Sequence, residues 1–227
     1  NVQKNYLINT NKISDDKIIV CGSPRHDSFF KSSSNSFNSK EKIILFCPRP
    51  IVEHVGKHHT RMYIEYELTL RKIIAQLTSL KNYKLIVKLH PGHNAHDTLI
   101  KKIINEINSD ITIFHTKKID ELIIKSDLVV VLAPFGFDPS TVILESIILQ
   151  KPIINFVLDN QFYDFSYEQH NAVISISKKD NLEEIIFNIF NDLEFTNKLI
   201  DNGKYFLSDY LGNHKMAAEI LAKKLAK

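Results

Sequence analysis

From Glu41 onward, short apolar runs alternate with stretches whose apolar residues recur every three or four positions, and this alternation constrains the fold more than any other feature. Strands are expected at Lys42 to Cys47, Tyr83 to Leu89, Ile111 to Phe114, Leu128 to Leu132, Pro152 to Val157 and Ala172 to Ser175. Between them lie expected helices. Arg61 to Leu80 keeps helical spacing through Tyr63, Tyr66, Leu70, Ile73, Ile74 and Leu77, and His96 to Ile107, Ile119 to Lys125 and Ser140 to Gln150 follow, with more after Asn181. A strand can reach a parallel neighbour only by a crossover, so the pattern predicts βαβ units. Leu85 to Leu89 and Leu128 to Leu132 are apolar almost throughout, as a sheet covered on both faces requires. The expected fold is α/β: a Rossmann-like parallel sheet of about six strands with helices on both faces.

The first forty residues read differently. Lys17 to Gly22 looks like a strand running into a turn at Ser23-Pro24-Arg25, and Lys31 to Lys40 has too few apolar side chains to pack. Residues 1–40 are therefore expected to be a hinge strand and flexible linker, and residues 41–227 the Rossmann-like domain. The polar start has no signal-peptide character, no apolar stretch approaches the roughly 20 residues that span a bilayer, and the chain opens without Met. A cytoplasmic piece of a longer protein is the expectation. Cys21 and Cys47, each in an apolar run, are expected to be reduced thiols.

Charge narrows the partners. The 29 basic and 26 acidic residues are interspersed and leave a net charge of only +3, so no nucleic-acid partner is expected. The last helix opposes Met216, Ala217, Ile220 and Leu221 to Lys223, Lys224 and Lys227, which suits docking on the protein or peripheral contact with an anionic membrane face.

In a parallel sheet the loops after the strands gather on one edge, where open α/β folds bind ligands. These are Pro48 to Thr60, His90 to Ala95, Ala133 to Pro139 and Leu158 to Asn171. His90, held by the Pro91-Gly92 turn, can donate one ring nitrogen to a phosphate while the turn fixes the other, or it can be a solvated turn residue. Asp138-Pro139 looks like an N-cap followed by proline, which would leave the amides and hydroxyls of Ser140 and Thr141 to meet an anion. Glu145 stands in an otherwise apolar helix, where a carboxylate needs a reason: a ribose diol, or an Arg or Lys partner. Arg49 offers a planar fork suited to a diphosphate, with His54, His58 and His59 behind it. The aromatic stretch Phe162 to Tyr167 suits stacking on a base or packing against another domain. His93 and His96 have only Asp97 as a nearby acid, and no metal site is expected.

Taken in order, Lys17 to Asp27 with its Gly22-Ser23-Pro24-Arg25-His26-Asp27 turn, Lys88-Leu89-His90-Pro91, Ser140-Thr141 to Glu145, and Gln150 to Ile154 resemble the carboxyl-terminal half of a GT-B glycosyltransferase. The spacing is similar to the CDP-glycerol glycerophosphotransferase and capsule-polymer transferase branch. That resemblance implies a metal-independent transferase of surface polysaccharide biosynthesis without a cofactor. Its donor would be a CMP-, CDP- or UDP-activated sugar or polyol phosphate, its acceptor a glycan, and an amino-terminal acceptor domain would complete it. Arg25, Arg49, His90, Pro91, Gly92, Ser140, Thr141 and Glu145 would bind substrate, and no catalytic base is assigned. UDP-N-acetylglucosamine 2-epimerases share the architecture, but their Gly-Gly-x-x-Glu-Glu signature is replaced here by Ser140 to Glu145. A non-catalytic nucleotide- or glycan-binding module is the other alternative.

Overall fold

The run Lys42–Pro48 forms β1, the strand on which the sheet is built, because its side chains from Ile44 to Cys47 meet apolar neighbours on alternate faces. In the computed structural model, which describes residues 2–32, 41–49, 60–92, 94–133, 140–158, 166–211 and 215–226, β1 pairs in parallel with β2 (Tyr83–Lys88) and β4 (Leu128–Ala133). β3 (Thr112–Phe114) adds outside β2, while β5 (Ile153–Val157) and β6 (Ile174–Ile176) add outside β4. The order is β3-β2-β1-β4-β5-β6, all parallel. Chain direction around the sheet reverses between β1 and β4, and the crevice beyond their carboxyl ends is where such folds hold ligands.

The two faces bury different halves of each strand. Ile44, Phe46, Val87, Val130 and Ile154 pack with Leu70, Ile73 and Ile74 of α3 (Thr60–Ser79), Ile103 and Ile104 of α4 (Asn94–Ile107), and Leu182 and Ile186 of α8 (Leu182–Asn191). Leu45, Cys47, Ile86, Val129 and Val131 pack instead with Leu122 and Ile123 of α5 (Ile119–Lys125), Ile147 of α6 (Thr141–Ile148) and Phe206 of α9 (Leu193–Tyr210). Alternate side chains of one apolar strand thus serve two separate cores, which is why no polar period appears in the sequence. Both edge strands are only three residues long, and short edges limit pairing with other chains.

The expected hinge strand does not join the sheet. Residues 18–23 have no ladder partners, and Gly22 at φ 81° turns the backbone, after a short helix, α1 (Val2–Asn9), and a 3₁₀ turn at Asp15–Lys17. Sequence pattern reports extended, half-buried backbone equally well whether or not a neighbouring strand is within reach. A second 3₁₀ turn, Pro24–His26, leads into α2 (Asp27–Ser32), whose Phe29 and Phe30 enter the second core. The Lys31 to Lys40 linker lies, after Ser32, outside the described residues. Both thiols are free, Cys47 buried and Cys21 half-buried.

The last helix, α10 (Ala217–Leu225), is fastened at its start. Asp27 accepts hydrogen bonds from the amides of Ala217 (3.1 Å) and Ala218 (2.9 Å), capping the helix from the far end of the sequence. Ala217 is buried and Ile220 and Leu221 are half-buried, so docking on the protein holds for the first turn of the helix.

Candidate functional site

Five chain segments converge at the carboxyl edge on a cavity of about 320 Å³. Cys47 to Arg49 come from the end of β1, Lys88 to Pro91 from the end of β2, and His115 to Ile119 from the connection after β3. The start of α6 supplies Ser140, Thr141, Val142 and Glu145, and the Pro24–His26 turn supplies Arg25. Seven of the residues expected to bind substrate, Arg25, Arg49, His90, Pro91, Ser140, Thr141 and Glu145, therefore line one space. Gly92 does not line it but acts on one that does, since its amide donates to His90 Nδ1 at 3.2 Å. With Nδ1 accepting, the neutral ring carries its proton on Nε2, which makes the exposed edge of His90 a donor. The turn thus fixes one ring nitrogen of His90.

Arg49 is held by its backbone. Its amide donates to Leu132 O at 2.9 Å, extending the β1–β4 ladder, and its carbonyl accepts from the buried Tyr66 hydroxyl at 2.8 Å. Burial pushes that phenol well above its ordinary range, so it stays a donor. Cys47 beside it is also pushed up, to about 12, by burial. A thiol in that state is a poor nucleophile.

The helix start differs from the expected one. α6 begins at Thr141, and Ser140, with φ −68° and ψ 133°, occupies the N-cap position that the sequence suggested for Asp138. A residue with a short oxygen-bearing side chain and extended backbone fills that role equally well two positions later. Asp138 and Pro139 lie outside the described residues. Ser140 is buried and its hydroxyl makes no capping bond, so that hydroxyl and the Thr141 and Val142 amides stand at the positive end of the helix, while the Ile143 amide donates to Ser140 O at 3.0 Å. Glu145 lies one turn after Thr141 on the same helix face, which brings its carboxylate to the cavity.

Glu145 has the cationic partner that its apolar setting required. Arg25 Nη2 lies 3.2 Å from Glu145 Oε1, with the carboxylate side chain 3% exposed and the guanidinium 64% exposed. Burial raises the Glu145 pKa above its ordinary value, and Arg25 opposes that rise.

Lys88 and the segment His115 to Ile119 were not among the expected site residues. Lys88 Nζ donates to Leu89 O (2.7 Å) and His115 O (2.8 Å), tying the ends of β2 and β3 together, and His115 Nε2 lies 2.8 Å from Asp97 Oδ2 of α4. The signal was present in the pair Lys117-Lys118 directly after an expected strand, but a three-residue strand and a four-residue connection make a weak pattern. His54, His58, His59, His93 and the aromatic residues 162–165 lie outside the described residues. Tyr167, at the end of that aromatic run, is buried in α7 (Ser166–Gln169) and packs edge-on against Phe206. For Tyr167 the packing role is the observed one. Among the described residues no group of three or more His, Cys, Asp or Glu could hold a metal ion, and no helix is long and apolar enough to cross a membrane.

An all-parallel sheet in this strand order is a Rossmann-like architecture, with the cavity at its switch point. Solved structures share it. A glycosyltransferase from Rickettsia africae aligns over 99% of this chain and 62% of its own, with a TM-score of 0.57 and 18% identity. The Anabaena protein HepE in complex with UDP-glucose aligns over 90% of this chain and 54% of its own (TM-score 0.55, 15% identity). The wall teichoic acid polymerase TagF aligns over 98% of this chain and 54% of its own (TM-score 0.54, 12% identity). The chain thus spans between 54% and 62% of the length of these similar structures. No curated protein matches it. The sequence pattern of the CDP-glycerol:poly(glycerophosphate) glycerophosphotransferase family matches residues 2–186, and the chain belongs to that family.

Proposed function

We propose that this chain is the donor-binding part of a transferase that moves a polyol phosphate or sugar from a CMP-, CDP- or UDP-linked donor onto a growing surface glycan. The observation that carries the reading is a cavity at the β1–β4 switch point, where Arg25, Arg49, Lys88, His90 and the α6 N-terminus surround one buried carboxylate. Cations and helix-end amides suit the phosphates, and Glu145 suits the ribose diol because an ionised carboxylate accepts two hydrogen bonds at once. Family membership favours a cytidine nucleotide, and HepE, of the same fold, is seen with UDP-glucose.

The same groups have a role during transfer. As the acceptor oxygen bonds and the donor bond breaks, negative charge grows on the departing nucleotide phosphate, and donors fixed beforehand around that position lower the barrier. His90, Arg49, Ser140 and Thr141 take this role, and no step requires a metal. The acceptor site and the base that activates the acceptor hydroxyl belong to a second, amino-terminal domain joined through the Gly22 to Asp27 turn. Peripheral contact with the inner membrane face through Lys223, Lys224 and Lys227 would bring that site to a lipid-linked acceptor.

A thermal-shift panel of CMP, CDP, UDP and GDP tests the donor assignment, since a ligand bound only by the folded state raises the melting temperature. A selective rise with cytidine or uridine nucleotides supports it. No rise with any of the four overturns it.

A further inference from the structure

Lys88 is 8% exposed and ends β2 after the apolar run Leu85-Ile86-Val87, two residues beyond Ile86, which packs with Cys47 and Val131 in the second core. Buried ammonium groups are normally paired with an acid, because removing the charge from water is costly. Among the described residues, none of the ion pairs includes Lys88. Its two hydrogen bonds run to backbone carbonyls, Leu89 O immediately before His90 and His115 O on the connection after β3. An ammonium has three donors, and Lys88 lines the same cavity as Arg25, Arg49 and the α6 N-terminus.

We propose that Lys88 is a positioning residue of the phosphate site: it locks the His90 turn to the His115–Lys118 connection and supplies a buried positive charge whose counter-ion is the ligand's phosphate. This rests on the donor-site reading given above. Among the described residues no other group suffices as a counter-ion. Asp97 acts on Lys88 through space but forms no ion pair with it, and its Oδ2 lies 2.8 Å from His115 Nε2 instead. Cys47 faces Lys88, but burial holds that thiol protonated at neutral pH. Across the cavity Glu145 is engaged by Arg25, and the remaining charged groups among the described residues, Arg49, Lys117 and Lys118, are cations. Adding a di-anion to this surround relieves cation–cation repulsion, whereas adding an uncharged nucleoside does not.

The test is calorimetric titration of CDP, inorganic pyrophosphate and cytidine into the wild-type chain, Lys88→Met and Lys88→Arg. Lys88→Met is expected to weaken CDP and pyrophosphate about 10–100-fold, the range for a hydrogen bond to a charged group, and to leave cytidine within about twofold. Lys88→Arg, which keeps the charge, is expected to recover most of the loss. A pH series adds a readout that simple loosening of the fold would not produce. Burial lowers the Lys88 pKa, so wild-type affinity for CDP should fall at alkaline pH before ordinary lysines discharge, and Lys88→Arg should not show that fall. Equal losses for CDP and cytidine, or identical pH profiles for wild type and Lys88→Arg, overturn the proposal.

Should either variant fail to fold, selective lysine labelling of the unmutated chain decides by NMR. Lys151→Arg removes the other burial-shifted lysine signal and so assigns Lys88. A Lys88 pKa that rises on adding pyrophosphate supports the proposal, and an unmoved one overturns it. If the wild type binds neither CDP, UDP nor pyrophosphate, the donor-site reading fails and this inference with it. Binding of CDP that ignores Lys88 removes only this inference.

Discussion

Arg25 and Glu145 are 120 residues apart and meet at 3.2 Å, joining the turn before the sheet domain to the helix at its switch point. The contact is asymmetric, because the carboxylate is buried and the guanidinium mostly exposed. An exposed guanidinium contributes little stability through such a pair, while the buried carboxylate carries the desolvation cost. A diphosphate entering the cavity would compete with Glu145 for Arg25 and leave the carboxylate for a ribose. The pair therefore describes a site held ready by its own residues.

That asymmetry predicts a trade between stability and binding at Glu145. Its folded-state pKa is raised by burial, so at acid pH the group is protonated in both states and costs nothing. As pH rises past the ordinary Glu value the unfolded state ionises first, and stability falls until the folded carboxyl has ionised too. Glu145→Gln removes the titration, so it should raise the ligand-free unfolding midpoint at neutral pH and have a smaller effect at acid pH. It should also weaken CDP binding by about 1.5–3 kcal/mol, with 2′-deoxy-CDP losing less. Urea unfolding at the two pH values, with calorimetry on both nucleotides, checks the pair of outcomes. A neutral-pH destabilisation together with unchanged affinity would make Glu145 a structural acid.

His90 should behave in the opposite way. It is exposed, its ring bonds back to Gly92, and it supports no core, so His90→Ala should leave the unfolding midpoint nearly unchanged. Nucleotide binding should weaken by about 1.5–3 kcal/mol if Nε2–H meets a phosphate. Unchanged calorimetric affinity removes the role.

Much of this was legible before any coordinates. All six strands fall within a few residues of their expected bounds, because both-face burial writes long apolar runs that little else produces. His90, Ser140 and Thr141 could be expected beside one another, and do line one cavity, because parallel topology sends every strand-end loop to one edge. Three features escaped. Residues 18–23 look like a strand, yet ladder pairing depends on a neighbour that local pattern does not encode. Asp138 looks like a cap, yet Ser140 offers the same chemistry two residues on, and helix ends are set by fine geometry. Lys88 looks like an ordinary polar strand end, and only its two carbonyl bonds reveal a buried charge.

The helix end predicts a contrast between ligands. Ser140→Ala with Thr141→Ala removes two hydroxyls beside the amides of α6, which the proposed donor site assigns to the phosphates of a bound nucleotide. The double variant should bind CDP more weakly while holding cytidine as before. Equal losses for both would mean that the helix start itself has shifted, an outcome that backbone amide exchange over Thr141 to Glu145 would show directly.

The turn that carries Arg25 also carries Asp27, whose two oxygens cap α10 through the amides of Ala217 and Ala218. Asp27 is itself buried, and α10 beyond Ala217 buries little side-chain surface, so the cap is a main reason for the helix to dock. Replacing a capping Asp with Ala typically costs about 0.5–2 kcal/mol, and here that cost falls on one weakly packed helix. Asp27→Ala should therefore lower global stability only slightly while making the segment after Leu211 sensitive to limited proteolysis. Arg25 keeps its own contact with Glu145, so CDP affinity should stay within about twofold if the two ends of the turn act independently. A matching loss of CDP affinity would show instead that the turn moves as one body, and that the position of α10 is transmitted to the cavity through Arg25.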